Sequence, residues 1–404
     1  MANPRNIGLL NTSWTCHRLS PLHHSAIESK SGSLLTDLAA LNLYATRLRD
    51  HLTNSPADAQ GWHAAAGGGG GGGDEPSSAG GLSALGALQS CTWEVISSLD
   101  FLEREDEEDE DAKEPTGLLI TLSYENSTYR AALLSLPSDT KSKPGLQSQS
   151  QLPQKRKRGR PSLRSSTSNS NSKTSTTLPL LLTRLPKPLR EGLISFLATN
   201  FDTYVSALRI SSAGLAGLLE GYVDALHTSS SSSASSGEAG EEAVEDIIRE
   251  LSLTLTFAPP ISPSLKALNL GVPRDTLGAF LRSSSSSTSP TPSSSVLQGL
   301  SEYVRNHLAM ELGLPLPPSS TSSASNGKGN VDTASIAGGY VRLTKIACAG
   351  FVVTSEGRLK IVAKNIGGDG DKGTLRGGEA LLRRVLERAA GVGGFRDAGD
   401  GGED

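Results

Sequence analysis

Gly117-Leu118-Leu119-Ile120-Thr121-Leu122-Ser123-Tyr124-Glu125-Asn126-Ser127-Thr128-Tyr129-Arg130-Ala131-Ala132-Leu133-Leu134-Ser135-Leu136 is the stretch on which the fold turns. Residues 117–124 and 128–136 are β-rich runs, and the polar Glu125-Asn126-Ser127 between them is short enough to reverse the chain as a hairpin. A hairpin makes antiparallel neighbours. The same pattern recurs near the other end, where 340–347 and 351–363 form a second hairpin with Gly350 and Glu356-Gly357 at its bends. Residues 6–22 read as one long strand, with Leu10, Thr12, Trp14, Cys16 and Arg18 on one side. Asn11, Ser13, Thr15 and His17 take the other side, and Pro21, which has no N–H, ends the ladder. Further strands are expected at 91–102, 178–185, 201–210, 251–257 and 264–270. In the 201–210 run Tyr204, Ser206, Leu208 and Ile210 share a side.

Helices punctuate these strands. Leu34, Leu38, Leu41, Ala45, Leu48 and Leu52 make a continuous apolar stripe at helical spacing. Residues 186–200 carry Pro188 in their first turn and Leu189, Leu193, Phe196 and Leu197 on one face. Ser211 or Ser212 caps a helix running to about 226, with a Ser-rich loop at 228–236. A short helix begins at Asp275, and 296–312 and 379–390 complete the set. Meandering strands with interspersed helices predict an α+β fold, an antiparallel β-sheet with packed helices.

Long low-complexity insertions separate the elements. Seven glycines (67–73) lack a flanking strand and helix and read as a linker rather than a phosphate cradle. Glu103 to Asp111 holds eight acidic residues and one arginine, a solvated charge block. Residues 138–177 contain too few large apolar groups to offset the entropy of ordering; 228–236, 283–295 and 315–335 are similar. Four segments follow: 1–137, an N-terminal α+β segment with Gly-rich and acidic insertions; 138–177, a disordered basic linker; 178–390, a C-terminal α+β segment with Ser-rich insertions; and 391–404, a disordered tail.

Within the linker lies Lys155-Arg156-Lys157-Arg158-Gly159-Arg160-Pro161-Ser162-Leu163-Arg164, six positive charges in a chain of formal net charge −4. Arg158-Gly159-Arg160-Pro161 resembles the core of an AT-hook. Gly159 lets the backbone approach a minor-groove floor, and Pro161 holds Arg160 extended. Arg158 and Arg160 would then enter a narrow, negative A·T groove, with Lys155, Arg156, Lys157 and Arg164 on phosphates. The same basic cluster reads equally as a nuclear-import signal. Both readings are compatible, and both are nuclear.

Three widely spaced cysteines (Cys16, Cys91, Cys348) form no disulfide framework and fit a reducing compartment. Neither a signal-peptide core nor an apolar run of spanning length occurs, so a soluble intracellular protein is expected. Cys16-His17 and His23-His24 lack a second ligand pair for zinc, and strand alternation would put Cys16 and His17 on opposite faces. Residues 367–374 lack the Gly-Lys-Ser/Thr order of a phosphate loop and the spaced acids of a calcium loop. No G-x-S-x-G, H-E-x-x-H or kinase signature appears. The expectation is a non-enzymatic protein with no metal, cofactor or small-molecule substrate.

Three ordered blocks carry a family resemblance. They are Leu10 through Leu22; then Leu182-Thr183-Arg184-Leu185-Pro186 with Phe201-Asp202 and Val205-Ser206-Ala207-Leu208-Arg209; and Lys345-Ile346-Ala347-Cys348-Ala349-Gly350-Phe351 with Glu356-Gly357-Arg358-Leu359-Lys360. In this order they resemble the fungal branch of the centromere protein L (CENP-L) family. The resemblance implies an inner-kinetochore subunit of the constitutive centromere-associated network, pairing with a centromere protein N (CENP-N)-like subunit on the centromeric nucleosome. It implies an antiparallel sheet with helices and, with the partner, a basic groove for DNA. By that analogy Arg184, Lys187 and Arg190 are candidate phosphate contacts; as bare residues they read as the solvated face of a helix. Pairing through an exposed sheet edge or an apolar helix face is expected, with strand 341–347 as the zipper for an edge. The basic decapeptide lies outside the matched blocks. It leaves a second reading open: an AT-hook chromatin or transcription regulator.

Overall fold

The computed structural model describes residues 7–24, 34–54, 85–101, 115–137, 174–231, 248, 250–257, 265–273, 296–308, 341–363 and 371–391. The glycine run, the acidic block, the basic decapeptide, Asp275 and residues 392–404 lie outside them.

In chain order the elements are β1 (Ser13–Leu19), β2 (Leu22–His24), α1 (Leu38–Asn54), β3 (Leu88–Ile96), β4 (Gly117–Tyr124), β5 (Thr128–Leu134), β6 (Thr174–Thr176) and β7 (Leu180–Arg184). Then come α2 (Lys187–Phe201), β8 (Val205–Ala207), α3 (Ser212–Ser231), β9 (Leu251–Phe257), β10 (Ala267–Val272), α4 (Val296–Leu308), β11 (Val341–Ala347), β12 (Phe351–Thr354), β13 (Arg358–Ile361) and α5 (Asp371–Ala390). One large antiparallel sheet runs β10-β9-β11-β12-β13-β1-β7-β5-β4-β3, with β8 added against β1; β2 and β6 form a separate pair. The fold is α+β, as expected. The founding hairpin pairs Gly117 with Leu134 through Ser123 with Thr128.

Period-two alternation sorts side chains onto two faces. On one face Trp14, Cys16, Leu180, Leu182 and Leu359 join a core capped by α3, α4 and α5. On the other, Leu19, Leu118, Ile120, Leu133 and Leu181 meet α1 and α2. The α2 stripe of Leu189, Leu193, Phe196, Leu197 and Phe201 is buried, each side chain stabilising by about 1.5–3 kcal/mol. Among the described residues, only the β3–β7 half of the sheet is covered on this second face. The β9–β13 half shows there exposed and half-buried residues that are mostly polar.

Five expectations need correction. The 6–22 run is not one strand: a 3-10 turn (Ile7–Leu9) and Asn11 at φ 55° precede β1. The Asn11 side chain fastens that bend by hydrogen bonds to the backbone of Ala363. Pro21 ends β1, yet the chain pairs again at once as β2. Its partner β6 lies inside the 138–177 linker: backbone pairing with Leu22–His24 orders a tripeptide that has no large apolar side chain. The 201–210 run shrinks to β8, because Phe201 closes α2, Asp202 turns left-handed and Tyr204 is 73% exposed. Finally, β11 is no edge. It lies between β9 and β12, and among the described strands β10 and β3 hold the outer positions. The helix after Ser211 also runs on to Ser231, into the expected Ser-rich loop.

Candidate nucleic-acid interface

The three blocks quoted above meet at β1. Thr15 to Arg18 pair with β7, Ser13 to Thr15 pair with β13, and His17 to Leu19 pair with β8, which continues the line of β13. Gly357 closes the junction: its carbonyl accepts the Cys16 N–H at 2.7 Å, while the Cys16 carbonyl accepts from Leu208 N–H at 3.1 Å. Only glycine suits that place, since φ is +76° and a Cβ would collide with the Leu208 carbonyl oxygen.

From β7 the chain turns through Leu185-Pro186 into α2. Pro186 occupies the cap position without a side-chain hydrogen bond, and Pro188 lies in the first turn. That turn presents Lys187 and Arg190. Lys187 is exposed and approaches Glu191 at 3.9 Å, a solvated pair contributing about 0.3–0.5 kcal/mol. Arg190 is half-buried and acts on His17. Burial, followed by the Arg190 charge, lowers the His17 pKa from 6.5 to about 4. The neutral ring sits 3.3 Å from the Thr183 hydroxyl.

Arg184 does not join them. Alternation puts it on the face of Leu180 and Leu182, opposite α2, in register with Arg130. The structure therefore gathers Lys187 and Arg190 and separates Arg184. Lys155, Arg156, Lys157, Arg158, Gly159, Arg160 and Pro161 lie outside the described residues.

The sequence reading passed over four cations on the uncovered half-sheet: Arg342 and Lys345 on β11, Arg358 and Lys360 on β13. A signal was present, since each is followed by a buried apolar residue (Leu343, Ile346, Leu359, Ile361) and β9 to β13 contain neither Asp nor Glu. Its meaning depended on knowing that no described helix covers that face.

Cys16 and His17 do fall on opposite faces of β1. Burial pushes the Cys16 thiol up to about 12 and those of Cys91 and Cys348 to about 11. They are thiols, not thiolates, at neutral pH. Among the described residues no group of three or more His, Cys, Asp or Glu side chains is placed to hold a metal. No described helix is long and apolar enough to cross a membrane.

Among the described residues the fold is an antiparallel sheet with β10 and β3 at its outer positions and cationic side chains on β11 and β13. Compared with known families, the sequence matches the profile of CENP-L, Centromere protein L, over residues 8–390. The chain belongs to the centromere protein L family, a structural family of the inner kinetochore, and its place is the nuclear centromere. No curated protein matches it.

Proposed function

We propose that this chain is a non-enzymatic inner-kinetochore subunit that pairs with a CENP-N-like partner and helps attach the kinetochore to centromeric chromatin during chromosome segregation. The family match over residues 8–390 carries this reading. The convergence of all three matched blocks on β1 supports it, because the resemblance then covers the sheet's central packing rather than scattered loops. Lys187 and Arg190 would make phosphate contacts from the first turn of α2. Arg184 would do so only from the opposite face, beside Arg130. The decapeptide would add minor-groove contact through Arg158 and Arg160, nuclear import, or both.

Affinity purification of the tagged full chain tests this directly. Recovery of a CENP-N-like protein and further inner-kinetochore subunits is expected. Recovery of only transcription or remodelling factors ends the kinetochore reading and favours the second one, an AT-hook chromatin regulator, for which the decapeptide is the specific observation.

A further inference from the structure

Helices α3 and α5 meet along a seam where arginines lie across glycines. Arg388 crosses α3 at Gly214, Arg384 crosses it at Gly221, and Gly377 meets Tyr222, so the two helices run in opposite directions. A Cβ at Gly214 or Gly221 would strike those arginine side chains, whereas one at Gly217 would meet nothing within 4 Å. Gly214 and Gly221 stand two turns apart, about 10.5 Å along a helix. At the α5 end Arg388 donates to the Ser211 hydroxyl at 2.8 Å. Arg18 of β1 donates to the Arg388 carbonyl at 3.1 Å, which occupies one of its five N–H groups. Gly391 donates to the same carbonyl at 3.2 Å with φ +72°, turning the chain out of α5 beside both arginines. Arg18 and Arg384 are exposed and Arg388 is half-buried. Neither Arg18 nor Arg384 makes an ion pair with a described carboxylate.

Gly391 is followed by Val392-Gly393-Gly394-Phe395-Arg396-Asp397-Ala398-Gly399-Asp400-Gly401-Gly402-Glu403-Asp404, four acids against one arginine. We propose that this segment folds back along the α3–α5 seam as an acidic clasp. Asp397 sits against Arg388 and Arg18, Asp400 against Arg384, and Ala398-Gly399 crosses the open Gly217. Asp397 and Asp400 lie three residues apart, about 10 Å in an extended chain, close to the interval at which the two arginines cross α3. From Gly391 to Asp397 the chain spans up to about 21 Å, enough to reverse and reach Arg388. Ala398 and Gly399 are small enough to pass close over a glycine floor.

The chemistry suits such an occupant. Guanidinium forks take carboxylates in two-point contact, which a lysine could not offer. Neighbouring acids set the limits of the seat. Glu387 adjoins Arg388, Glu220 adjoins Gly221, and Asp224 lies one turn further along α3. Past Arg384 the segment meets like charge, so Glu403 and Asp404 stay off the seam. Ordering five glycines costs conformational entropy, and exposed ion pairs are screened by salt. The clasp is therefore reversible and salt-sensitive. When closed it covers the end of α5 that Arg18 fastens to β1 and withholds three arginines from other anions. The inference is independent of the kinetochore reading.

Disulfide trapping in the full chain tests the seat. Gly217→Cys puts a thiol where a Cβ has open space, and Ala398→Cys supplies its mate. At low salt the 217–398 disulfide, identified by peptide mass, should form about tenfold faster than that of the control pair Thr53→Cys/Ala398→Cys, because docking raises the effective concentration. Thr53 is exposed on α1, on the other face of the sheet. Adding Asp397→Asn and Asp400→Asn, or raising salt to about 1 M, should bring the rate down to that of the control. A second measurement leaves α3 unaltered: trypsin cleavage after Arg396, read as release of 397–404, should be severalfold faster in Arg384→Gln than in the parent chain. Equal trapping rates at 217 and 53, or equal cleavage of Arg384→Gln and parent, overturn the proposal. A disulfide that joins two chains also overturns it, and assigns the seam to a second copy. Neither assay contains a partner or DNA, so failure here leaves the kinetochore reading standing, and the reverse also holds.

Discussion

Two residues at the β1 junction make separable demands on the chain. Gly357 holds φ +76° against the carbonyls of Leu208 and Cys16. Gly357→Ala should therefore lose about 1–3 kcal/mol, read as a lower urea midpoint with unchanged m-value. His17 makes the demand depend on pH. Its folded pKa, about 4, lies below the ordinary 6.5 because of burial and then Arg190. The unfolded chain therefore takes up the proton first. The His17 contribution to stability is complete above about pH 6.5 and is lost as the pH falls towards 4. Allowing for solvent near the ring, the loss is about 1–3 kcal/mol. Parallel urea titrations of the parent and His17→Gln at pH 7.5 and 4.5 should show the parent losing more stability than the variant. Equal losses would remove His17 as the cause. Neither constraint is visible in the sequence. A Glu-Gly pair marks a bend, but that the bend abuts Leu208 depends on contacts about 150 residues away.

At the scale of elements, legibility followed locality. The β4–β5 hairpin is written in two β-rich runs and a three-residue turn, and it formed as read, with the second strand ending at Leu134. Helix α2 was equally plain, with Pro188 at its start and an apolar stripe that ends up buried. Its face joins an aromatic cluster in which Phe201 lies 4.5 Å from Tyr44 and Trp93 lies 6.4 Å from Phe196, centroid to centroid. Phe196→Ala should cost about 3–5 kcal/mol through lost burial and the cavity left behind. A loss below 1 kcal/mol in chemical denaturation would mean the cluster is not packed as described. β6 was missed, β8 was read too long and β11 was read as a strand but not in its place, because each depends on distant partners. β6 and β8 are three residues each, held by partners distant in sequence. β11 has the composition of an edge or an interior strand alike, and only the arrival of β9 and β12 decides which. The candidate site divides the same way. Lys187 and Arg190 could be read from a strand followed by a helix, whereas the open half-sheet could be recognised only once the covering helices were placed.

For the whole molecule, the important fact is that the two halves of the chain interleave. β7, from beyond the 138–173 stretch, is inserted between β1 and β5, and β1 is then bordered by β13 from near the other end. Loop-closure entropy grows slowly with loop length, which lets long insertions coexist with this arrangement. A single proteolytic cut between 138 and 173 should leave two fragments that co-elute on size exclusion and separate only in denaturant. Fragments that part under native conditions would contradict a shared sheet. The sequence's most conspicuous motif, the decapeptide, falls between β5 and β6 in the chain and outside the described residues, so its role is tested apart from that of the sheet. The most direct measurement is the chromosomal distribution of a chain carrying Arg158→Ala and Arg160→Ala with an unrelated import signal appended. The account predicts that it remains concentrated at centromeres, placed there by its folded body and its partners. Dispersal of that variant from chromatin would contradict it and make the decapeptide, not the kinetochore fold, the seat of function.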